Sequence, residues 1–555
     1  MYSQQQFDEM EEFALAEVHR TDLCNLALQI KALGLGNPRV FPFVEAPQGP
    51  SLDQAMLTLK QAQVVADDEP ESLLPLGRVL ALLPVDIPIG KILVLGCLFD
   101  TLQPIATIAA AVTVQSPFLR LPAGDQRTAL RRELFYSEHG DPFMVMNCFN
   151  AWTVEKADRR SAGSSRKWCQ RHGLAEQRLY EMAKLRRQFI QLLVDVKLVS
   201  GEESADVDED GENRYERRGR GEKRRRLHEL RQQQGVARKR RTLRMDDSDG
   251  EGAGREGSGD ELGGDQELHH LDLELSVDIT KLRDSANSEM TVHDIHTIKV
   301  VLCAGLYPRI ALADPGNANR PENERVFHTQ FKSFVRMHPS SMFTTEDVFV
   351  ASSEVLVFEK LLETHKAFLT NCLRSPAIQT LLLFARTIDS NDKCTKLVVD
   401  NWIVLQLESR LSHKVLAMVT LLRRMLGSML EQSLSKIGQP AGAIEIVNPP
   451  NLSTMPSWGM DQALPPALYA IREEFHRPMP GCTKSLLAQK LAEFLAVRCE
   501  SHNEGFPHQR CLSLPSAART SGHRVGGNAP NAGTHRVHDD AHDARRSDQR
   551  VHSRR

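Results

Sequence analysis

The strongest constraint in this sequence is a segment of segregated charge between residues 201 and 275. Acidic residues fill 202–212, a basic run follows over 214–244, and 246–267 is rich in Gly, Asp and Glu. Blocks of like charge cannot bury enough apolar surface to offset the entropy lost on ordering. We therefore predict a disordered charged linker that separates two folded regions of the chain.

The composition indicates the class of protein. A chain of this length, 41% hydrophobic, supports about three domains with cores of their own. Its ten cysteines stand singly, which favours reduced thiols over a zinc finger or a disulfide framework. The N-terminal residues have neither the basic nor the apolar part of a signal peptide. We expect an intracellular protein, in the cytoplasm, the nucleus or both, without a membrane partner.

Helical periodicity dominates the first region. Apolar spacing predicts helices over 16–35 and from Ser51 onward, and the apolar stretch 92–114 predicts two buried helices rather than a membrane span. The last helix of the region has one apolar face, and we place Arg186 and Arg187 on its polar face. The residues of the apolar face are Leu179, Met182, Leu185, Phe189, Leu192 and Val196.

The second region favours β-type patterns. It begins near Val292, where the apolar run 298–303 leads into a Gly-Leu-Tyr-Pro sequence. Several short strands follow and indicate a small β-barrel. Helical periodicity returns at 414–434 and 485–497, and the histidine-rich sequence after residue 500 predicts no fold. The predicted strands are 327–331, 334–337, 355–361 and 402–407.

The sequence carries no recognisable catalytic motif. A phosphate-binding loop of the G-x-x-x-x-G-K-[ST] type is absent, and the Gly90-Lys91 pair is followed by Ile92 and lacks the upstream glycine. There is also no G-x-S-x-G or H-E-x-x-H sequence. We therefore assign no catalytic, cofactor-binding or metal-binding residue, and we expect no catalysis from this chain alone.

The basic run inside the linker has three open interpretations. Its Lys and Arg residues are of the type that neutralises RNA phosphates and releases counterions. The same composition is typical of a nuclear-import signal. A solvated linker is the third interpretation, because a run of charge alone is unspecific.

Several short segments resemble one protein family in both order and spacing. In the first region these include 17–20, 41–47 with the sequence FPFVEAP, and Leu-Gly at 76–77. A Leu-Pro-Val-Asp sequence at 83–86 and then Lys91 follow. These segments are similar to the entry into a winged-helix domain and to its continuation.

Further along the chain, Gly-Asp at 140–141, NCFNAW at 147–152 and Trp-Cys at 168–169 resemble the helical ratchet domain of the same family. AGLYP at 304–308 and HPSS at 338–341 resemble its OB-fold. The family is the DEAH-box RNA helicases, and the resemblance covers their C-terminal region rather than their ATP-hydrolysing motor.

This resemblance implies a multidomain fold that is mainly α-helical with a small β-barrel. The implied order is a winged-helix domain, a helical ratchet domain, the disordered charged linker, an OB-fold and a disordered tail. The expected ranges are 1–15 for a remnant of the second RecA-like motor lobe, 16–88 for the winged helix, 89–200 for the ratchet, 201–287 for the linker, 288–412 for the OB-fold, 413–500 for a helical extension and 501–555 for the tail, which a gene-model error would explain.

The resemblance also implies what the chain binds. In such helicases single-stranded RNA passes between the motor lobes and these accessory domains, and ATP and Mg belong to the motor. For this chain alone we predict no cofactor. The RNA-binding candidates are Arg186 and Arg187 of the ratchet helix, His338, Ser340 and Ser341 of the OB loop, and Lys366.

Two functions remain open on the sequence. One is an RNA-binding module of an ATP-dependent RNA helicase in mRNA surveillance or RNA processing, such as nonsense-mediated decay. The other is a protein-interaction scaffold that docks RNA-decay factors or a helicase through the OB face and the apolar helix at 485–497. Single-stranded RNA is the expected partner of the first, and decay-factor proteins are the expected partners of the second.

Overall fold

The structure of the protein is a computed structural model. Its described residues are 3–5, 16–67, 71–121, 125–157, 165–199, 222–229, 231–232, 273, 279–287, 290–321, 324–341, 354–407, 409–434, 437, 484–495 and 512–513. All of them belong to one compact unit, Met1–Ser513. Most of the predicted linker and nearly all of the predicted motor-lobe remnant and tail therefore lie outside the described residues.

The first region is mainly helical, as its periodicity predicts. Prolines in the first turn of α2, α3 and α4 set where these helices begin, since proline fits a position whose N–H has no intrahelical partner. The helices are α1 Cys24–Ala32, α2 Gly49–Gln61, α3 Pro75–Leu82, α4 Ile87–Leu98, α5 Leu102–Thr113, α6 Gln126–Phe135, α7 Asp141–Ala157, α8 Ser165–Arg171 and α9 Glu176–Asp195.

Helices α4 and α5 form the centre of the core, which confirms that the apolar stretch consists of two buried helices. Nearly every residue of α4 is buried, and one continuous hydrophobic cluster extends from α1 to the last described helix. No single described helix is long and apolar enough to cross a membrane. Among the described helices, the bent pair α3 and α4 has the length and apolar composition of a membrane span only when the two helices are taken together.

Lys91 occupies an unusual place in α4 for a charged residue. It is only 7% exposed, and its Nζ donates to the carbonyl oxygen of Ala62 at the end of α2, 3.0 Å away. Burial lowers the pKa of Lys91 to about 8. The lysine thus supplies a donor to an otherwise unpaired helix-end carbonyl.

The second region begins with a helix, not with a strand. Thr291 caps α11 (Val292–Leu306) through a reciprocal pair of hydrogen bonds with Asp294. The β-type pattern expected of the second region therefore applies only after α11, because the apolar run 298–303 lies on a helix that is buried on several sides. Gly305 of α11 lies against the Ile92 side chain of α4, so α11 packs the second region onto the first.

Short strands follow α11. Where strands are predicted, the structure has β2, β3, β4 with β5, and β10, although each is shorter or broken. The strands are β1 Ile310–Ala313, β2 Phe327–Thr329, β3 Arg336–Met337, β4 Glu354–Val357, β5 Lys360–Glu363, β6 Ala367–Thr370, β7 Leu373–Pro376, β8 Ile388–Ser390, β9 Lys396–Val399, β10 Ile403–Gln406 and β11 Leu512–Ser513.

The described strands form three sheets. Their orders are β2-β1-β4-β7, β3-β6-β5 and β11-β10-β9-β8. A closed barrel is not found among the described residues, which corrects that prediction. The physical reason is a bend: the long hairpin of β4–β5 and β6–β7 breaks near Glu359 and Asn371, and Asn371 has a left-handed φ of 50°. The two halves of the hairpin consequently pair with different neighbours.

The first two sheets share a small hydrophobic core and are connected by backbone hydrogen bonds. Phe327 of β2 exchanges both backbone hydrogen bonds with Val335, and β3 pairs in parallel with β6. The side chains of Phe327, Val335 and Leu369 pack together in a cluster separate from the main core. Strands β1 to β7 therefore form one packed body, which we call the β unit, and the turns between them belong to it.

The remaining helices complete the second region. They are α10 Ile279–Ala286, α12 Ala377–Phe384, α13 Ser409–Leu434 and α14 Lys484–Leu495. Helices α13 and α14 confirm the two predicted late helices. Helix α10 lies in the range predicted as linker, yet Leu282 is buried and α10 packs against α7. Residues 222–229 and 231–232 of the basic run are also helical and mostly exposed.

Candidate nucleic-acid interface

Asp141, at the start of α7, connects the first region to the β unit. Its carboxylate accepts hydrogen bonds from Ser341 Oγ at 2.9 and 2.8 Å and from the backbone N–H of Cys372 at 3.1 Å. Its own N–H donates to the Cys372 carbonyl at 2.9 Å. Asp141 is 8% exposed, so these bonds form away from water. We call Asp141, Ser341 and Cys372, together with Gly140, the clamp.

Gly140 allows the clamp to close. Its φ of +129° is a conformation that residues with a Cβ rarely adopt. A Cβ at this position would lie 2.9 Å from the Leu373 Cα and still closer to the Cys372 carbonyl oxygen. Glycine therefore permits α7 to begin directly against the turn between β6 and β7.

The predicted OB loop, residues 338–341, follows β3. Its residues differ in burial and therefore in role. Ser341 is buried in the clamp, so its hydroxyl serves the structure. His338 and Ser340 lie nearer the surface: Ser340 is exposed, and its Oγ is 2.6 Å from His338 Nδ1. The backbone N–H of His338 donates to Leu369 on β6 at 3.0 Å, which fixes the loop on the sheet.

The surroundings of His338 favour the neutral form of its ring. Burial lowers its pKa, and the nearby charge of Arg120 lowers the pKa further. Arg120 is exposed, and its segment is held on the ratchet helices because the Leu119 N–H donates to Gly173 at 3.1 Å. The positive charge of Arg120, in the first region, thus acts on a histidine of the β unit.

The prediction for Arg186 needs correction. The residue lies on the apolar face of α9, four residues after Met182, and is 6% exposed. Its Nε donates to Thr107 Oγ1 at 3.0 Å, and its Nη2 donates to Gln103 Oε1. Both partners are on α5, so Arg186 ties α9 to α5. Arg187, the next residue, is partly exposed as expected.

Replacing each of these two arginines in turn shows which of them stabilises the fold. We expect Arg186→Ala to lower the free energy of unfolding by about 2 kcal/mol, because Thr107 and Gln103 on α5 each lose the hydrogen-bond donor that Arg186 supplies. Arg187→Ala is expected to cost less than half of that, because Arg187 is more exposed than Arg186. Urea unfolding followed by tryptophan fluorescence measures both, and equal losses would contradict the assignment.

Lys366 lies in the exposed turn between β5 and β6. The adjoining turn, between β2 and β3, is joined to this one because Lys332 Nζ bonds Glu363 Oε1 at 2.6 Å. Lys366 is therefore on the β unit and is accessible, as its predicted role requires. The geometry leaves Arg187, His338, Ser340 and Lys366 as accessible candidates among the predicted residues.

Sequence reasoning missed Arg120 altogether, because the segment between α5 and α6 contains no family motif. Its only local signal is an arginine in a short stretch flanked by Pro117 and Pro122. Within the described part of the chain, no three His, Cys, Asp or Glu side chains are grouped to hold a metal ion. The accessible groups offer hydrogen bonds and positive charge, which suits binding to a phosphate backbone.

Two known domain families match the regions of the chain that the clamp connects. Residues 86–174 match the helicase-associated domain (HA2), described as ratchet-like. Residues 298–388 match the oligonucleotide/oligosaccharide-binding (OB)-fold. The clamp therefore joins one matched domain to the other, since Asp141 lies in the first and Ser341 and Cys372 lie in the second.

Relatives among known proteins extend the match. The chain is 37% identical over 473 residues to the probable ATP-dependent RNA helicase DHX34 of Homo sapiens, covering 79% of this chain and 40% of that protein. It is 26% identical over 431 residues to the ATP-dependent DNA/RNA helicase DHX36 of Mus musculus, covering 77% of this chain and 34% of that protein. The chain thus spans less than half the length of these relatives. It corresponds to the C-terminal region of the DEAH-box RNA helicases, with their ratchet-like helicase-associated domain and their OB-fold domain.

Proposed function

We propose that this chain is the RNA-binding C-terminal module of an ATP-dependent RNA helicase. The observation that carries the proposal is the clamp, which joins the ratchet-like domain to the OB-fold domain, so that the exposed Arg120 and the OB loop belong to one packed surface. Because single-stranded nucleic acid is held mainly through its phosphates, accessible cations on a fixed surface are the groups that binding requires. ATP and Mg would act in the motor of the complete helicase and not on this surface.

Several finer features belong to the same proposal. Residues 16–88 form a winged-helix domain, and the β unit belongs to an OB-fold domain with limits near 288 and 412. The protein acts inside the cell, in the cytoplasm, the nucleus or both, in mRNA surveillance such as nonsense-mediated decay. The likeness to DHX34, a probable ATP-dependent RNA helicase, supports a role in RNA metabolism, and the seven described cysteines, which are free thiols, fit a protein inside the cell.

The accessible cations provide a direct test. We expect Arg120→Ala, Arg187→Ala and Lys366→Ala each to weaken binding of single-stranded RNA about three- to tenfold, and to reduce the slope of log affinity against log salt by about 0.7. Fluorescence anisotropy with a labelled RNA, at several salt concentrations, gives both quantities.

Lys393→Ala is the matched control, because Lys393 is an exposed lysine on the turn between β8 and β9, a different sheet. Its affinity and salt slope are expected to equal those of the unmodified chain. If all four variants lose affinity equally, binding is a non-specific effect of net charge, and the proposed surface is wrong.

The alternative, a protein-interaction scaffold, loses one of its two predicted docking elements. The apolar helix predicted at 485–497 is α14, and its Leu487, Leu491 and Phe494 are buried. Helix α14 packs against α13, so its apolar face is already covered within the chain. The OB face is the other docking element of this hypothesis, and a partner protein would have to bind there.

A further inference from the structure

The turn between β2 and β3 carries two large aromatic side chains in solvent. Phe331 is 73% exposed and Phe334 is 65% exposed. The neighbouring Phe327 is 1% exposed and packs in the core of the β unit. Single exposed apolar residues are ordinary, but two on one short turn form a patch that contributes nothing to a core.

The backbone of this turn is fixed at both ends. At one end, the Thr329 N–H and hydroxyl donate to the Lys332 carbonyl at 2.8 and 2.9 Å, and the Lys332 N–H donates back to the hydroxyl at 3.0 Å. At the other end, Phe327 and Val335 exchange backbone hydrogen bonds at 2.7 and 2.9 Å. The two phenylalanines are therefore presented by an ordered turn.

Phe334 is held in a conformation that is rare for a bulky residue. Its φ is +59°, in the left-handed region, which costs about 1 to 2 kcal/mol for a residue with a Cβ. The Phe334 and His328 rings pack in a T-shaped arrangement, with ring centres 5.1 Å apart and planes at 71°. His328 is itself anchored, because its Nε2 lies 2.8 Å from Asp314 Oδ2. The fold thus supports Phe334 from one side and leaves most of its surface exposed.

Two lysines, Lys332 and Lys366, lie on this turn and on the turn beside it. The contact between Lys332 and Glu363 joins the aromatic turn to the turn that carries Lys366. Exposed aromatic faces beside accessible cations are the combination by which proteins bind single-stranded nucleic acid: bases stack on the rings, and phosphates contact the cations. A docking site for a protein helix would instead need a continuous apolar groove.

We propose that Phe331 and Phe334 form a stacking platform for unpaired bases of the RNA strand whose phosphates contact Lys366. This inference rests on the proposed RNA-binding function and names the part of the surface that recognises bases. A stacking platform accepts any base, because every base has a π-face. The β2–β3 turn therefore adds affinity without sequence preference.

The test compares two RNAs of equal length, one of oligo(A) and one with abasic sugars. We expect Phe331→Ala and Phe334→Ala each to weaken oligo(A) binding by the full-length chain about tenfold, and to leave binding of the abasic RNA unchanged. Leu362→Ala is the control, since Leu362 is a partly exposed apolar residue on β5 that has no aromatic face. It should alter neither affinity.

A second variant tests stacking directly. Phe331→Trp should bind oligo(A) at least as tightly as the unmodified chain, and its added indole fluorescence should be quenched by oligo(A) and not by the abasic RNA. Equal losses for both RNAs in the alanine variants would show that the rings merely support the turn and would overturn the platform. Unchanged oligo(A) binding would also overturn it and would leave the patch to a protein partner.

The outcomes separate this inference from the function on which it rests. If the unmodified chain binds both RNAs in a salt-dependent way, and the phenylalanine variants do not differ from it, the platform is wrong and the RNA-binding function stands. If the unmodified chain binds neither RNA, the proposed function itself fails.

Discussion

Gly140→Ala is expected to lower the free energy of unfolding by about 4 kcal/mol, because a backbone clash and a strained φ act together at this position. The added Cβ meets the backbone of Cys372 and Leu373, which cannot move aside as a flexible side chain would. The alanine backbone also has to adopt a φ of +129°, which is itself strained for a residue with a Cβ. Urea unfolding, followed by tryptophan fluorescence, measures the loss.

Gly34→Ala is the matched control for this experiment. Gly34 also has a positive φ, +69°, but an added Cβ there meets nothing within 4 Å. It should cost only about 1 kcal/mol, the usual penalty of a left-handed conformation. A loss at Gly140 no larger than that at Gly34 would show that α7 and the β6–β7 turn do not meet as closely as the structure has them.

Asp141→Ala is expected to destabilise the protein by about 3 kcal/mol. The substitution removes a buried carboxylate that accepts from Ser341 and Cys372, and hydrogen bonds to a charged acceptor contribute about 1.5 to 3 kcal/mol each. The Ser341 hydroxyl and the Cys372 N–H are then buried without this acceptor. The same unfolding measurement applies.

A double-mutant cycle identifies the contact responsible. Ser341→Ala alone should cost less than Asp141→Ala, and the double variant should cost clearly less than the sum of the two, with a coupling of about 1 to 2 kcal/mol. Additive losses would mean that the Ser341 hydroxyl contributes nothing through Asp141, and that the carboxylate acts through the Cys372 N–H alone.

Much of the helical architecture could be predicted because apolar spacing is local information. The two buried helices of the apolar stretch and the late helices α13 and α14 follow from periodicity alone. The run at 298–303 was ambiguous, since β-branched residues are found both in strands and in buried helices. The capping pair of Thr291 and Asp294 was the local signal for a helix there.

The clamp could not be predicted from the sequence. Asp141 and Ser341 are 200 residues apart, and neither motif says what its polar residue contacts. The resemblance placed both residues in the right domains but marked Ser341 as an RNA contact, whereas its hydroxyl serves the clamp. Whether a polar residue binds a ligand or the protein itself depends on tertiary packing that a motif does not encode.

Two further site assignments show the same limit. Arg186 was placed on a polar face because it is charged, yet its position on α9 falls between Met182 and Phe189 on the buried face. Phe331 and Phe334 were interpreted as strand residues because aromatic residues favour strands. Both lie in the turn, where Phe334 has a positive φ that no propensity predicts.

The most direct test of the central claim is the affinity of the unmodified chain for single-stranded RNA, measured by anisotropy across a salt titration. The structure predicts measurable binding at low salt that weakens as salt rises, with a slope of about −2 to −3 for three or four phosphate contacts. Absence of binding even at low ionic strength would contradict the RNA-binding function and favour a protein-interaction role.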